Sequence, residues 1–441
     1  MSLDQTFHQL LAAAQAERVP SLSASVFREG EVVWREAIGL ADVERDERAT
    51  TAHRYRVGSI TKTFTAVAVM QLREEGRLML DQPLRDVVPE LPPGPTFAQA
   101  LAHLTGIQRE PAGEIWETMV APDREALLAG LEDAERVLEP GEAWHYSNLA
   151  FAVLGEAIER LSGSYETHMT ERILEPLALA DTSLRRAGTS ATPYFVHPWT
   201  QVAHVEPSFD VDGPTAAAGW LWSTPTDLAR WADFLCIGAD GVLRRGALDE
   251  MATLRTMVDT RAWTRGWGLG LELARVDDRV VVGHGGAMPG FLAGVYVERA
   301  QRVGAAVVAN TGAAFSPKEL AFALLRAALI EPAAPPEWRP APPPPAGIEP
   351  LLGVWWTEGD EALVTWEAPR LRIDLRHTPD TASWLSPAGE DAWRVVEGRE
   401  LGERLTVVRD ERSEVVKLYL ATYPLTRAPT PFAAADESRS S

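Results

Sequence analysis

Lysine is almost missing from this chain of 441 residues: Lys62, Lys318 and Lys417 are the whole set, and arginine carries nearly all the positive charge. Acidic residues outnumber basic ones by 63 to 42, for a formal net charge of −21. That balance argues against polyanionic partners, both nucleic acid and anionic membrane surfaces. Cysteine is absent except for Cys236, so no intrachain disulfide can form. It lies in the apolar run Trp231 to Ile237, where a buried, inert thiol is expected. No apolar run approaches a membrane span. The first twenty residues lack the basic region, continuous apolar stretch and cleavage site of a secretory leader, so a cytoplasmic location is expected. The nine histidines show no ligand spacing, and neither a metal nor a cofactor is expected.

The length favours two domains over a single core. Met1 to Pro20 reads as an amphipathic helix with Phe7, Leu10, Leu11 and Ala14 on one side. Leu22 to Phe27 and Val32 to Ile38 flank Glu29-Gly30 and predict a β-hairpin. Ser59 to Glu75 predicts a buried helix, stopped by Gly76. Further helices are predicted over 96–104, 123–131, 147–161, 223–237 and 317–330. Strands are predicted over 279–282, 294–298 and 303–309. A proline-rich run over 332–350 reads as a semi-rigid linker between a domain over 1–331 and a second over 351–427. In the second, six short strands at 363–366, 371–375, 382–385, 393–396, 405–409 and 415–420 predict a small barrel or sandwich. Trp355, Trp356, Trp366, Trp384 and Trp393 are expected mostly in its core. The polar tail, 428–441, is expected to be disordered.

Three short segments carry chemistry. Ser59-Ile60-Thr61-Lys62 sets a hydroxyl and an amine on one face of a helix within one turn, a recognised way to activate a serine. A capping serine with an exposed lysine would leave the same trace. Tyr146, in Trp144-His145-Tyr146-Ser147-Asn148, precedes a helix. Beside a lysine ammonium its phenolate would be favoured and could shuttle protons; the bland alternative is a boundary tyrosine. Gly283-His284-Gly285-Gly286-Ala287 follows a strand. His284 could present a hydrogen bond or partial charge to an acyl group, or be a surface histidine in a glycine-rich turn.

Together these segments resemble the serine β-lactamase and penicillin-binding-protein-like superfamily, in the branch of class C β-lactamases, D-alanyl-D-alanine carboxypeptidases, D-aminopeptidases and family VIII carboxylesterases. The similarity runs through Tyr55 to Ala66, Glu75-Gly76-Arg77-Leu78, His103-Leu104-Thr105-Gly106-Ile107, Glu175-Pro176-Leu177, Ala218 to Thr224 and Trp267-Gly268-Leu269-Gly270. It implies an α+β catalytic domain, an antiparallel sheet flanked by helices plus a helical lobe over roughly 81–209. The active site would lie between them. It implies Ser59 as acylated nucleophile, Lys62 and Tyr146 as proton carriers, and Asn148 as the residue orienting substrate and Lys62. The backbone N–H groups of Ser59 and Ala287 would form the oxyanion hole. The C-terminal segment is similar in strand rhythm to the lipocalin-like antiparallel β-barrel appended to some members.

The sequence departs from the family pattern at the strand edging the site. His284-Gly285-Gly286 stands where Lys-Thr-Gly is usual, which weakens the expected grip on a substrate carboxylate. The expected function is therefore a serine hydrolase of small esters or amides, carboxylesterase-like, with weak β-lactam turnover. A D-amino-acid-specific peptidase or carboxypeptidase is the alternative. A penicillin-binding or sensor protein that does not turn over is the rival from another class. The expected partner is a small-molecule ester or amide, and homo-oligomerisation is left open. Trp116, Trp220, Trp222 and Phe291 are candidates for the pocket wall or for the core.

Overall fold

The predicted N-terminal hairpin is the seam of the first unit. Ser21–Arg28 pairs antiparallel with Glu31–Asp42 on one side and with Val303–Ala309 on the other, Leu22 opposite Ala309. Segments far apart in the chain thus share one sheet. The computed structural model describes residues 2–207, 211, 213–312, 315–329, 343–357, 359–376 and 382–430. They fall into two compact units, one on each side of the 330–342 segment.

In the first unit the antiparallel sheet has nine strands. Their order is Thr256–Met257, Arg265–Trp267, Glu272–Val276, Arg279–Met288, Phe291–Glu298, Val303–Ala309, Ser21–Arg28, Glu31–Asp42, Glu47–Arg48. Helix Pro225–Ile237 covers one face, and helices Leu3–Gln15 and Pro317–Leu329 cover the other. Double coverage explains why Ser21–Arg28 and Val303–Ala309 are buried nearly throughout rather than alternating. The helical lobe centres on Asn148–Ser162, capped by Ser147, whose hydroxyl accepts from the Ala150 N–H, and stopped by Gly163 at φ +93°.

Two helices of the helical lobe are shorter than predicted, Phe97–Leu101 and Arg124–Ala129, as is the N-terminal helix, Leu3–Gln15. The first ends early because the chain turns through left-handed His103 (φ +55°) and Gly106 (φ +69°). That turn carries Gln108 to Glu110 back to the start of the Asn148–Ser162 helix, where Arg109 O accepts from Asn148 N at 2.7 Å.

A larger correction concerns His284 to Gly286. They form no turn. The strand runs on through Met288, paired with Phe291–Glu298 as far as Met288 opposite Phe291, and the bend falls at Pro289-Gly290. Glycines lower strand propensity, but here proximity demands one. A Cβ on Gly286 would stand 1.9 Å from Val57 O.

The second unit is an eight-stranded antiparallel meander from Gly353–Thr357 to Tyr423–Leu425, with consecutive strands paired throughout. Trp356 and Thr426 exchange two backbone hydrogen bonds, at 2.8 and 2.9 Å, nearly closing the sheet into a barrel. The six predicted strands are present; the first and last were not foreseen. Trp355 and Trp393 are buried with Leu371, Leu385, Leu405 and Leu418, while Trp356, Trp366 and Trp384 are only half-buried. The proline-rich stretch through 342, and the tail from 431, lie outside the described residues. Among the described residues no helix is long and apolar enough to cross a membrane.

Candidate active site

Ser59 sits in a single 3-10 turn, Gly58–Ile60, that runs directly into helix Thr61–Glu74. Two contacts fix the turn. Thr61 Oγ1 donates to Gly58 O at 2.7 Å and accepts from Leu221 N at 3.1 Å. Gly58 takes φ +53°, and a Cβ there would lie 2.5 Å from Ala287 N. Only glycine at 58 lets the Gly58–Ile60 turn and the Arg279–Met288 strand come together. The backbones of Ser59 and Ala287 are thereby held across a narrow gap.

Lys62 follows on the same face and is fully buried. Its Nζ lies 3.1 Å from Ser59 Oγ, 2.7 Å from Asn148 Oδ1 and in short contact with Ala218 O. A neutral amine has two N–H donors and one lone pair. Asn148 Oδ1 and Ala218 O accept the two donors, which leaves the lone pair for the Ser59 hydroxyl. Burial pulls Lys62 down to about 7, against the Glu110 carboxylate, which raises it, and with Arg109, which lowers it further. The neutral form is therefore well populated near neutral pH.

Asn148 is oriented from behind. Its Nδ2 donates to Glu110 Oε1 at 2.7 Å, so its carbonyl oxygen must face Lys62. Glu110, 3.4 Å from Arg109 Nε, was not singled out from the sequence. His103 was seen only as part of a similar segment. Its Nδ1 accepts from Ser147 N at 3.1 Å, and its ring lies 4.2 Å from that of Tyr146.

Tyr146 shares a hydrogen bond with Ser59, but the expected phenolate is contradicted. Burial lifts its pKa far above the ordinary phenol value, and the Ser59 bond and Arg109 offset this only in part. Lys62 Nζ approaches the ring, 4.9 Å from its centroid. Tyr146 is thus a neutral hydroxyl at this site.

His284 also differs from expectation. It is 3% exposed, and burial first, then the nearby Lys62, drive its pKa down to about 4. Its Nδ1 contacts the Gly285 carbonyl, and its ring packs 5.2 Å from Trp267 and 6.3 Å from Tyr146. It is neither a surface residue nor a cation at neutral pH.

One cleft of about 1170 Å³ reaches Ser59, Tyr146, Asn148, His284, Gly285, Gly286 and Ala287. Trp116 and Trp220 are in its wall; Trp222 and Phe291 are core residues packed edge-on at 5.4 Å. Among the described residues no cluster of three or more His, Cys, Asp or Glu could hold a metal.

Residues 3–329 match the family described as Beta-lactamase. The chain belongs to the β-lactamase family. Residues 344–427 match a domain of unknown function, DUF7586. Among curated relatives, Protein flp of Staphylococcus aureus (strain N315) is 25% identical over 319 residues, covering 69% of this chain and 62% of that protein. The chain thus spans less than two thirds of that relative's length. Esterase EstB of Burkholderia gladioli is 28% identical over 358 residues, covering 70% of this chain and 90% of that protein. Among solved structures, a D-stereospecific amidohydrolase from Streptomyces sp. superposes with a TM-score of 0.60 at 29% identity, covering 70% of this chain and 94% of that one. In this β-lactamase-family chain, the motif residues Ser59, Lys62, Tyr146 and Asn148 are brought into contact, and His284 to Ala287 edge the same cleft.

Proposed function

We propose that the chain is a serine hydrolase working through an acyl-enzyme on Ser59. The carrying observation is the buried Lys62 amine, 3.1 Å from Ser59 Oγ with its other contacts taken by two acceptors. In acylation the Ser59 oxygen bonds to the substrate carbonyl carbon and its proton passes to Lys62 Nζ. The backbone N–H groups of Ser59 and Ala287 hold the oxyanion, an arrangement commonly worth about 3 kcal/mol per donor. The C–O or C–N bond to the leaving group then breaks. The leaving group takes its proton from Lys62 through the Tyr146 hydroxyl. Water repeats the sequence, attacking the ester while Lys62 takes its proton, and Ser59 is released.

Ester substrates are favoured over β-lactams, because position 284 carries a neutral histidine in place of a cation. The likeness to Esterase EstB supports this reading. The likeness to the Streptomyces amidohydrolase supports D-amino-acid amides as a second class. The test is burst kinetics on short-chain nitrophenyl esters, a chromogenic cephalosporin and D-residue amides, with mass spectrometry of the acylated protein. Wild type should show a burst and a mass increment on Ser59, both lost in Ser59→Ala. A burst surviving in Ser59→Ala would remove Ser59 from the nucleophile role. A burst without later turnover would instead make the chain a penicillin-binding or sensor protein.

A further inference from the structure

Lys62 has two acceptors for its amine hydrogens, and Glu110 fixes only one of them, by turning the Asn148 amide. The other is a backbone atom, the Ala218 carbonyl, at the end of the 3-10 turn Gly213–Ala218. A backbone oxygen is aimed by whatever holds its turn, and here two helices hold it. Gly155, inside helix Asn148–Ser162, lets the turn seat against that helix. A Cβ there would lie 2.3 Å from Pro214 O and 2.6 Å from Ala217 Cβ. Glycine weakens a helix interior, so the close approach is what it serves at this position.

Helix Thr61–Glu74 grips the turn from the other side, through Thr65. Thr65 Oγ1 lies 2.9 Å from Ala217 O and 2.9 Å from Tyr165 Oη, with Thr61 O further off at 3.3 Å. Thr65 is 0% and Tyr165 1% exposed, so water replaces neither contact. A threonine hydroxyl has one hydrogen to give. Burial raises the pKa of the Tyr165 phenol and keeps it protonated, so Tyr165 donates to Thr65. Thr65 then gives its own hydrogen to Ala217 O, the nearer carbonyl, and the two bonds reinforce each other. Positions 62 and 65 share one face of the helix. Adjacent groups of that face, Lys62 and Thr65, thus meet adjacent carbonyls of one turn, Ala218 and Ala217.

We propose that Thr65 and Tyr165 are positioning residues for Lys62: through the Ala217 and Ala218 carbonyls they set the direction in which the amine presents its lone pair to Ser59. Neither lies among the residues lining the cleft; both act through the backbone of the turn. Without the Thr65 hydroxyl, Ala217 O loses that donor and the turn is released from helix Thr61–Glu74. Ala218 O then draws away from Lys62 Nζ. A carbonyl oxygen beside an amine favours the ammonium form, so its withdrawal lowers the pKa of Lys62. It also frees the amine to turn its lone pair off the Ser59 hydroxyl. The effect on rate rests on the acyl-enzyme reading; the effect on the titration of Lys62 does not.

The scarcity of lysine makes the test direct. Full-length protein labelled with carbon-13 at the lysine ε carbons gives signals from Lys62, Lys318 and Lys417 alone, and Lys318→Met and Lys417→Met assign the other two. The Lys62 signal is followed by NMR across pH, beside the acylation rate on a neutral nitrophenyl ester and the Tm. In wild type Lys62 should titrate at about 7. In Thr65→Val the midpoint should fall by about half a unit or more, and acylation should slow about 10- to 100-fold. Thr65→Ser keeps the hydroxyl and should restore both. Tyr165→Phe should move both the same way, by less. The other titratable groups around Lys62, namely His103, Arg109, Glu110, Tyr146 and His284, are the same in all these variants. A purely stabilising role would lower the Tm and leave midpoint and rate unchanged; that result in folded Thr65→Val overturns the inference. If Thr65→Val does not fold, Tyr165→Phe decides, and an unmoved midpoint there overturns it. A lowered midpoint, restored by Thr65→Ser, in protein that never acylates Ser59 would support the positioning role and sink the hydrolase reading.

Discussion

Replacing Glu110 by glutamine should move the acid limb of acylation to lower pH. Lys62 acts as a base only when neutral, so acylation should rise with pH through its pKa of about 7. Glu110 favours the ammonium form, and its removal lowers the pKa. Two hydrogen bonds of 2.7 Å and the width of the Asn148 amide, about 2 Å, put the carboxylate at most about 7.5 Å from the amine. A unit charge at that distance is worth about 2.2 kcal/mol at an effective dielectric of about 20, and about 0.6 kcal/mol in water. Glu110 is half-buried and shares its charge with Arg109, so about 1 kcal/mol is expected, a shift of about 0.7 pH unit. Glutamine can still accept from Asn148 Nδ2, so the geometry should persist. Arg109→Gln should move the limb the opposite way, and less, because that side chain is 61% exposed. The assay is the pre-steady-state acylation rate of a neutral nitrophenyl ester from pH 5 to 9, free of any deacylation limit. His103 and His284 are held neutral by burial across that range and add no limb of their own. Shifts of the same sign in both variants, or none in either, would refute Lys62 as the titrating base.

Tyr146→Phe should slow acylation by about 10²- to 10⁴-fold by removing the hydroxyl that bonds Ser59. Its acid limb should stay where it is, since a phenol held protonated by burial does not titrate there; loss of the limb would make Tyr146 the base. Gly286→Ala should destabilise the first unit by about 1–3 kcal/mol, because the methyl group meets the Val57 carbonyl. Gly285→Ala, with its nearest neighbour at 3.5 Å, should change stability by less than about 1 kcal/mol. Equal melting temperatures for the two variants would contradict the packing assigned to this strand.

The Ser59–Lys62 pair was readable because it is local. Spacing of three along a helix fixes the Ser59–Lys62 geometry whatever the rest of the chain does. Tyr146 and Asn148 were reached through segment similarity, and the fold places both beside Lys62. What could not be read depends on distant contacts. The Ala218 oxygen is a backbone atom, and no side chain announces it. Glu110 matters through Asn148, and Glu272 gathers partners from positions 265, 296 and 318. The phenolate expectation failed for a related reason. It weighed a neighbouring charge but not burial, and here burial is the larger effect.

The same reasoning ties position 284 to the chemistry of Lys62. A lysine at 284 would set a second ammonium near the first, and each would resist the other's charge. The buried imidazole at about 4 instead contributes no charge at neutral pH. Lys62 then reaches about 7 through burial, with Glu110 opposing and Arg109 assisting. The cations that remain on this side of the cleft, Arg265 and Lys318, are tethered to Glu272, which cancels half of their charge. Their effect on Lys62 is thereby muted. Lys318→Met should therefore leave the acid limb set by Lys62 where it is, read in the same pH series.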